Sequence, residues 1–162
     1  MAGSRTSQSA PAEGSARLGA VIAAAGGFVL ILSLFLTWYE VTGAGIAEEI
    51  TDVIDDVTGS SLSGELSRTG WESFEFTDLI CAFAGGMAMA RGLIALAGDD
   101  DNPQIPGPML LTVLGGLAVA AVVYRIANPP GVGFERQIGV WIGLIGAAAV
   151  AYGSAVALRA SR

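Results

Sequence analysis

Three observations predict an all-α membrane protein, a bundle of four transmembrane helices with a short amphipathic helix in the first extracytoplasmic loop. The 162-residue chain is 52% AVILMFWYC and only 14% charged, whereas a soluble domain is nearer about a quarter charged. Its mean hydropathy is +0.61. The apolar residues are gathered into four long runs, separated by stretches rich in Pro, Gly and acidic residues, and about 20 apolar residues suffice to cross a bilayer core.

Residues 1–17 are rich in Ser, Ala and Gly and show no apolar period, so they are expected to form a disordered cytoplasmic tail. The first span, 18–39, is uncharged. It is too long for the core of a signal peptide, about 7–15 residues, and is therefore expected to be retained. The second span, 79–97, is interrupted by Arg91, the third, 109–126, carries Arg125 at its end, and the fourth, 138–158, is uncharged. Pro106-Gly107-Pro108 opens the third span and Asn128-Pro129-Pro130-Gly131 closes it. Lipid offers backbone groups no hydrogen-bond partner, so such runs must be helical. A short cytoplasmic tail, 159–162, follows.

All eight basic residues are Arg, and there is no Lys or His. Together with the abundant Ala and Gly, this bias resembles the output of a GC-rich bacterial genome. Four spans put both termini on one side. Placing them in the cytoplasm puts Arg5, Arg17, Arg91, Arg159 and Arg162 inside and Arg68, Arg125 and Arg136 outside, which agrees with the positive-inside rule. The expected location is a bacterial plasma membrane. Most acids then fall in the outer loop, 40–76. No basic tract is available for nucleic acid or for anionic lipid head groups.

Trp38, Tyr39, Trp71, Phe74, Phe76, Tyr124, Phe134 and Trp141 all map near the outer ends of spans. An apolar ring with a polar tip suits the membrane–water interface, so Trp38, Tyr39, Trp71 and Trp141 are expected to be interfacial anchors. In the outer loop, Ile46, Ile50, Val53, Ile54 and Val57 mark one face of a helix over about 44–58. Gly59 stands where a C-terminal cap belongs. Asp52, Asp55 and Asp56 are the weak candidates for a cation site, since their spacing lacks the D-x-D-x-D-G pattern of a calcium loop. Thr77 is expected to cap the second span.

Phe35-Leu36-Thr37-Trp38-Tyr39, followed by a loop and then Gly70-Trp71, Phe74 and Asp78, resembles a group of small actinobacterial four-helix membrane proteins. Members of that group typically read Leu-Pro-Trp-Tyr after the first helix and Trp-x-x-Phe before the second. Thr37 stands here in place of the Pro. The resemblance implies the four-helix topology and no particular activity. A claudin-like reading shares the helix count but requires a loop cysteine pair that this chain lacks.

Arg91 is the sharpest intramembrane candidate, because a charge within a span is costly and marks function by default. It lies six residues before Ala97, about 9 Å along a helix rising about 1.5 Å per residue. From that depth its guanidinium can snorkel to the interface, where Asp99, Asp100 and Asp101 are expected. Asp78 and Arg125 are placed to pair across the second and third spans. Gly139, Gly143 and Gly146 form a smooth stripe for close helix packing, within one bundle or between copies. Gly26-Gly27, Gly85-Gly86 and Gly115-Gly116 put a glycine pair in each of the other spans.

With no His and one Cys, the usual haem, His-metal, Ser-His-Asp and dithiol chemistries have no residues to use. No cofactor and no enzymatic activity are expected. The leading functional expectation is a non-catalytic accessory subunit or scaffold of a membrane complex. Its partners would be the bilayer and a membrane protein or a second copy. Two alternatives are a small oligomeric channel or transporter using Arg91, and an extracytoplasmic sensor binding a cation through the acidic loop.

Overall fold

The computed structural model describes residues 10–41, 67–69, 75–98, 107–129 and 134–162. It is mostly helical, with four helices long and apolar enough to cross a membrane. In chain order the elements are α1 (Ala10–Leu34), β1 (Thr37–Val41), β2 (Ser67–Thr69), α2 (Glu75–Ala97), α3 (Pro108–Ala127), β3 (Phe134–Arg136) and α4 (Ile138–Ala160). The helices run alternately up and down. Helix α1 packs between α2 and α4, and α4 packs between α1 and α3. The three strands form an antiparallel sheet in the order β2-β1-β3 at one end of the bundle. The first turn of α1, the end of α2, the first turn of α3 and the end of α4 lie at the other, the terminal end.

The observed boundaries depart from expectation at α1. The helix begins at Ala10, inside the stretch expected to be irregular, and ends at Leu34. Thr37, Trp38 and Tyr39, expected inside the first span, belong to a strand. The amides of Phe35 and Leu36 bond back to the carbonyls of Leu32 and Ser33 at 3.1 Å. This tightened i→i−3 turn ends the helix. Helix α2 starts at Glu75, so Thr77 lies within it and is not its cap. Pro108 opens α3, where its missing N–H costs nothing. Gly98 closes α2 at φ 81°, a left-handed conformation that suits glycine. The loop helix expected at 44–58, with Asp52, Asp55, Asp56 and Trp71, lies outside the described residues.

Between the two ends, the inward positions are mostly small residues and many large ones face outward. Leu30, Ala84, Ala118, Val122 and Ala147 are fully buried, whereas Phe28, Leu32, Phe83, Leu93, Leu117 and Ile145 are exposed. Water would reverse this pattern. It suits lipid, where large side chains are well solvated and close backbone approach drives helix association.

Glycines set the spacing between helices. A Cβ added at Gly19 would stand 2.6 Å from the Gly153 carbonyl, and one at Gly153 would stand 2.5 Å from the Ala23 amide nitrogen. Gly26 and Gly146 oppose each other in the same way, with 2.9 Å and 3.0 Å to each other's carbonyl. Gly19 and Gly26 are seven residues apart, as are Gly146 and Gly153. A seven-residue repeat keeps one seam facing a near-parallel or antiparallel neighbour. On α1 the next residue, Gly27, turns to α2 and meets Gly85. Gly86 and Gly116 have nothing within 4 Å.

These contacts predict opposite outcomes for the same substitution. Gly153→Ala forces a methyl group against backbone and should cost about 1–3 kcal/mol. Gly116→Ala meets open space and should be neutral or stabilising by up to about 1 kcal/mol through helix propensity. Unfolding in mixed micelles, followed by helical circular dichroism, checks both.

Candidate functional site

Side chains that carry chemistry gather at the two ends of the bundle, beginning with Trp38 at the sheet end. Its indole N–H donates to the Ser33 carbonyl at 2.7 Å, within the buried core. The same carbonyl accepts the Leu36 amide at 3.1 Å, so the indole adds a second bond to the end of α1. The ring lies against Gly139 and Gly143, whose missing side chains make room for it. The Trp38 carbonyl accepts the Gln137 amide at 2.9 Å, tying β1 to the start of α4. Gln137 Nε2 also donates to Glu40 Oε2 at 3.0 Å.

Tyr39, the next residue, is also fully buried. Consecutive strand residues normally face opposite sides. Here the register with β2 shifts between Thr37 and Tyr39, and such a bulge re-aims side chains. The Tyr39 hydroxyl donates to the Arg125 carbonyl at 2.8 Å, across to the end of α3. Arg136 Nε donates to the Ile126 carbonyl at 2.7 Å. Both bonds satisfy terminal carbonyls of α3.

Trp38 and Tyr39 are therefore buried rather than exposed on the bundle surface. They form the floor between sheet and bundle, because the chain leaves the helix at Leu34 and folds back over its own end. Trp141, about half-exposed, and Tyr124, more exposed, do lie on the outer surface near this end.

Arg125 Nε donates to Thr77 Oγ1 at 3.3 Å, linking α3 to the first turn of α2. Asp78 and Cys81 are fully buried just beyond. Helices α2 and α3 are thus joined here by an arginine and a threonine hydroxyl. Sequence reasoning singled out Asp78 and Arg125 and missed Thr77 as the contact, since the wrong helix start made Thr77 a cap.

At the terminal end, a cavity of about 240 Å³ lies among all four helices. Arg91 of α2 lines it, with Ala20 and Ala23 of α1, Pro108 and Leu111 of α3, and Ser154 of α4. Arg91 is partly buried. The Arg17 side chain lies beside Gly98 at the C-terminal end of α2, where a cation offsets the negative pole of the helix. Ser154 is 1% exposed, and its Oγ has no hydrogen-bond partner among the described residues. Nothing in the sequence flagged Ser154, a lone serine in an apolar run.

Gly139, Gly143 and Gly146 are all buried within the chain, the first two against Trp38 and the third against Leu30 of α1. Among the described residues, no three His, Cys, Asp or Glu side chains come together to hold a metal ion. No protein family, curated protein or solved structure matches the chain.

Burial pushes the Tyr39 phenol above its ordinary pKa of 10.0, an effect partly offset by the Arg125 and Arg136 guanidinium groups. The folded chain therefore keeps this proton at a pH where the unfolded chain releases it. The resulting stability is whole below pH 10 and is lost as pH rises through the folded pKa. Tyr39→Phe should cost about 1 kcal/mol at neutral pH through the lost hydrogen bond. It should also remove part of the alkaline loss of stability, as read by unfolding across an alkaline pH series.

Proposed function

We propose that the protein is a non-catalytic, multi-pass membrane protein, an accessory subunit or scaffold of a membrane complex. The observation that carries this reading is the closed interior. From Ala23, Ala88 and Val150 to Leu30, Ala84, Val122 and Ala147, successive layers between the two ends are fully or almost fully buried. The glycine contacts of α1 with α2 and α4 leave no room for one added carbon. A packed bundle of this kind supplies rigidity and two shaped ends rather than a path.

The inside-out pattern of small and large residues supports insertion in a bilayer, with both termini in the cytoplasm by the positive-inside rule. The sheet then stands on the outer face. Any docking surface must lie there or on the exposed helix faces, because the Gly139–Gly146 stripe is consumed within the chain. Helix α3, whose span is only 22% buried against 44% for α1 and α4, has the largest share of its surface left for lipid or a partner. A channel would need to form between copies, since this interior is filled.

Two measurements test the reading. The tagged chain should remain in the membrane pellet after alkaline carbonate extraction, and its recovery in the soluble fraction would overturn membrane insertion. Purification in mild detergent should yield a stoichiometric protein partner, identified by mass spectrometry. Substitution of the Ile46–Val57 apolar positions by Ser should release it while the helical signal stays. Cation or anion flux from liposomes containing the chain alone would instead favour the channel reading.

A further inference from the structure

The cavity at the terminal end has the chemistry of an anion site. Arg91 contributes a guanidinium, which carries five N–H donors in a planar fork suited to phosphate oxygens. Ser154 contributes a hydroxyl, on a side chain 1% exposed, that no described residue satisfies. A buried hydroxyl without a partner is costly, and an acceptor inside the cavity would remove that cost. Pro108 and Leu111 on the cavity wall belong to the first turn of α3. That helix end has no side-chain cap, and its positive pole favours an anion. The rest of the wall is apolar, from Ala16, Ala20, Ala23 and Ala157, except for Ser161, whose hydroxyl donates to the Leu158 carbonyl at 3.0 Å.

From this combination we propose that the cavity binds a phosphoryl anion, with Arg91 as its charge partner and the Ser154 hydroxyl as a second donor. The volume of about 240 Å³ is just below the range of small-molecule sites, about 300–1,000 Å³. It admits a phosphate and the few carbons next to it and excludes a whole lipid. The apolar wall suits those carbons. The anion is carried either by a phospholipid head group, with its chains left outside among the helices, or by a small soluble phosphate ester. The lipid source rests on the membrane reading above, and the soluble source does not.

The test uses the full chain, delipidated in mild detergent. Native mass spectrometry compares its adducts with phosphatidylglycerol and with a neutral glycolipid of the same acyl chains. Thermal unfolding is followed in parallel with and without inorganic phosphate. The wild type should favour the phospholipid by about tenfold, the scale of one charge-assisted contact. Arg91→Gln should abolish the preference, and Ser154→Ala should weaken it severalfold. Ala16→Phe, which plugs the cavity from its partly exposed rim, should abolish it without altering any polar group. Protection by phosphate in the wild type and not in Arg91→Gln identifies a soluble ligand, whereas preference for the phospholipid alone identifies a head group. Equal binding of both lipids with no phosphate protection overturns the proposal, as does a preference that survives in a folded Arg91→Gln or Ala16→Phe. Carbonate extraction reports separately on membrane insertion, so failure of that reading is distinguishable.

Discussion

Backbone-to-backbone contact between α1 and α4 is the constraint on which the rest of the structure depends. Gly19 and Gly26 face Gly153 and Gly146 so closely that each approaches the other's main chain. Two helices in such contact act as one slab, and α2 and α3 are laid on its two sides. Gly27 and Gly85 bring α2 close by the same device, and Gly115 sits against the backbone of Ala151 in α4. In a bilayer, which provides no hydrophobic drive between helices, van der Waals contact along such a seam is what holds helices together.

The sheet end follows from that seam. With α1 and α4 held together, Gly139 and Gly143 lie beside the end of α1, and Trp38 fills the space they leave. Its indole N–H takes the Ser33 carbonyl and its own carbonyl takes the Gln137 amide. One residue thereby bonds the end of a helix, lies in a strand and fixes the entry to α4. Tyr39 does the corresponding work for α3 through the Arg125 carbonyl. The sheet is bonded to the ends of three helices rather than merely connected to them.

Polarity is confined to the ends for the same physical reason that the middle is tight. Glycine seams and alanine layers leave no room for solvated side chains, so Arg125, Thr77 and Asp78 collect where α2 and α3 meet the sheet. Arg91 and Ser154 collect where the four helices part at the terminal end. The thinner contact between α2 and α3 leaves space there that the glycine seams deny elsewhere.

Four apolar runs bounded by Pro and Gly are a property of the chain alone, because lipid leaves a spanning segment no choice but helix. The helix count and the value of the small-residue stripe were legible for that reason. The end of α1 was not, because Leu36-Thr37-Trp38-Tyr39 is as apolar as the helix before it. Only the glycines of α4, more than a hundred residues later in the chain, make a strand with a buried Trp the better use of those residues. The orientation of each glycine pair was equally hidden. Adjacent helix positions point about 100° apart, so Gly26 and Gly27 serve two neighbours while Gly86 and Gly116 serve none. Hydropathy thus determined what the helices are made of and how many there are. Which faces meet, which aromatic residues leave the surface, and that Arg91 and Ser154 share one cavity were decided by the packing, because each depends on backbone distances between segments far apart in the chain.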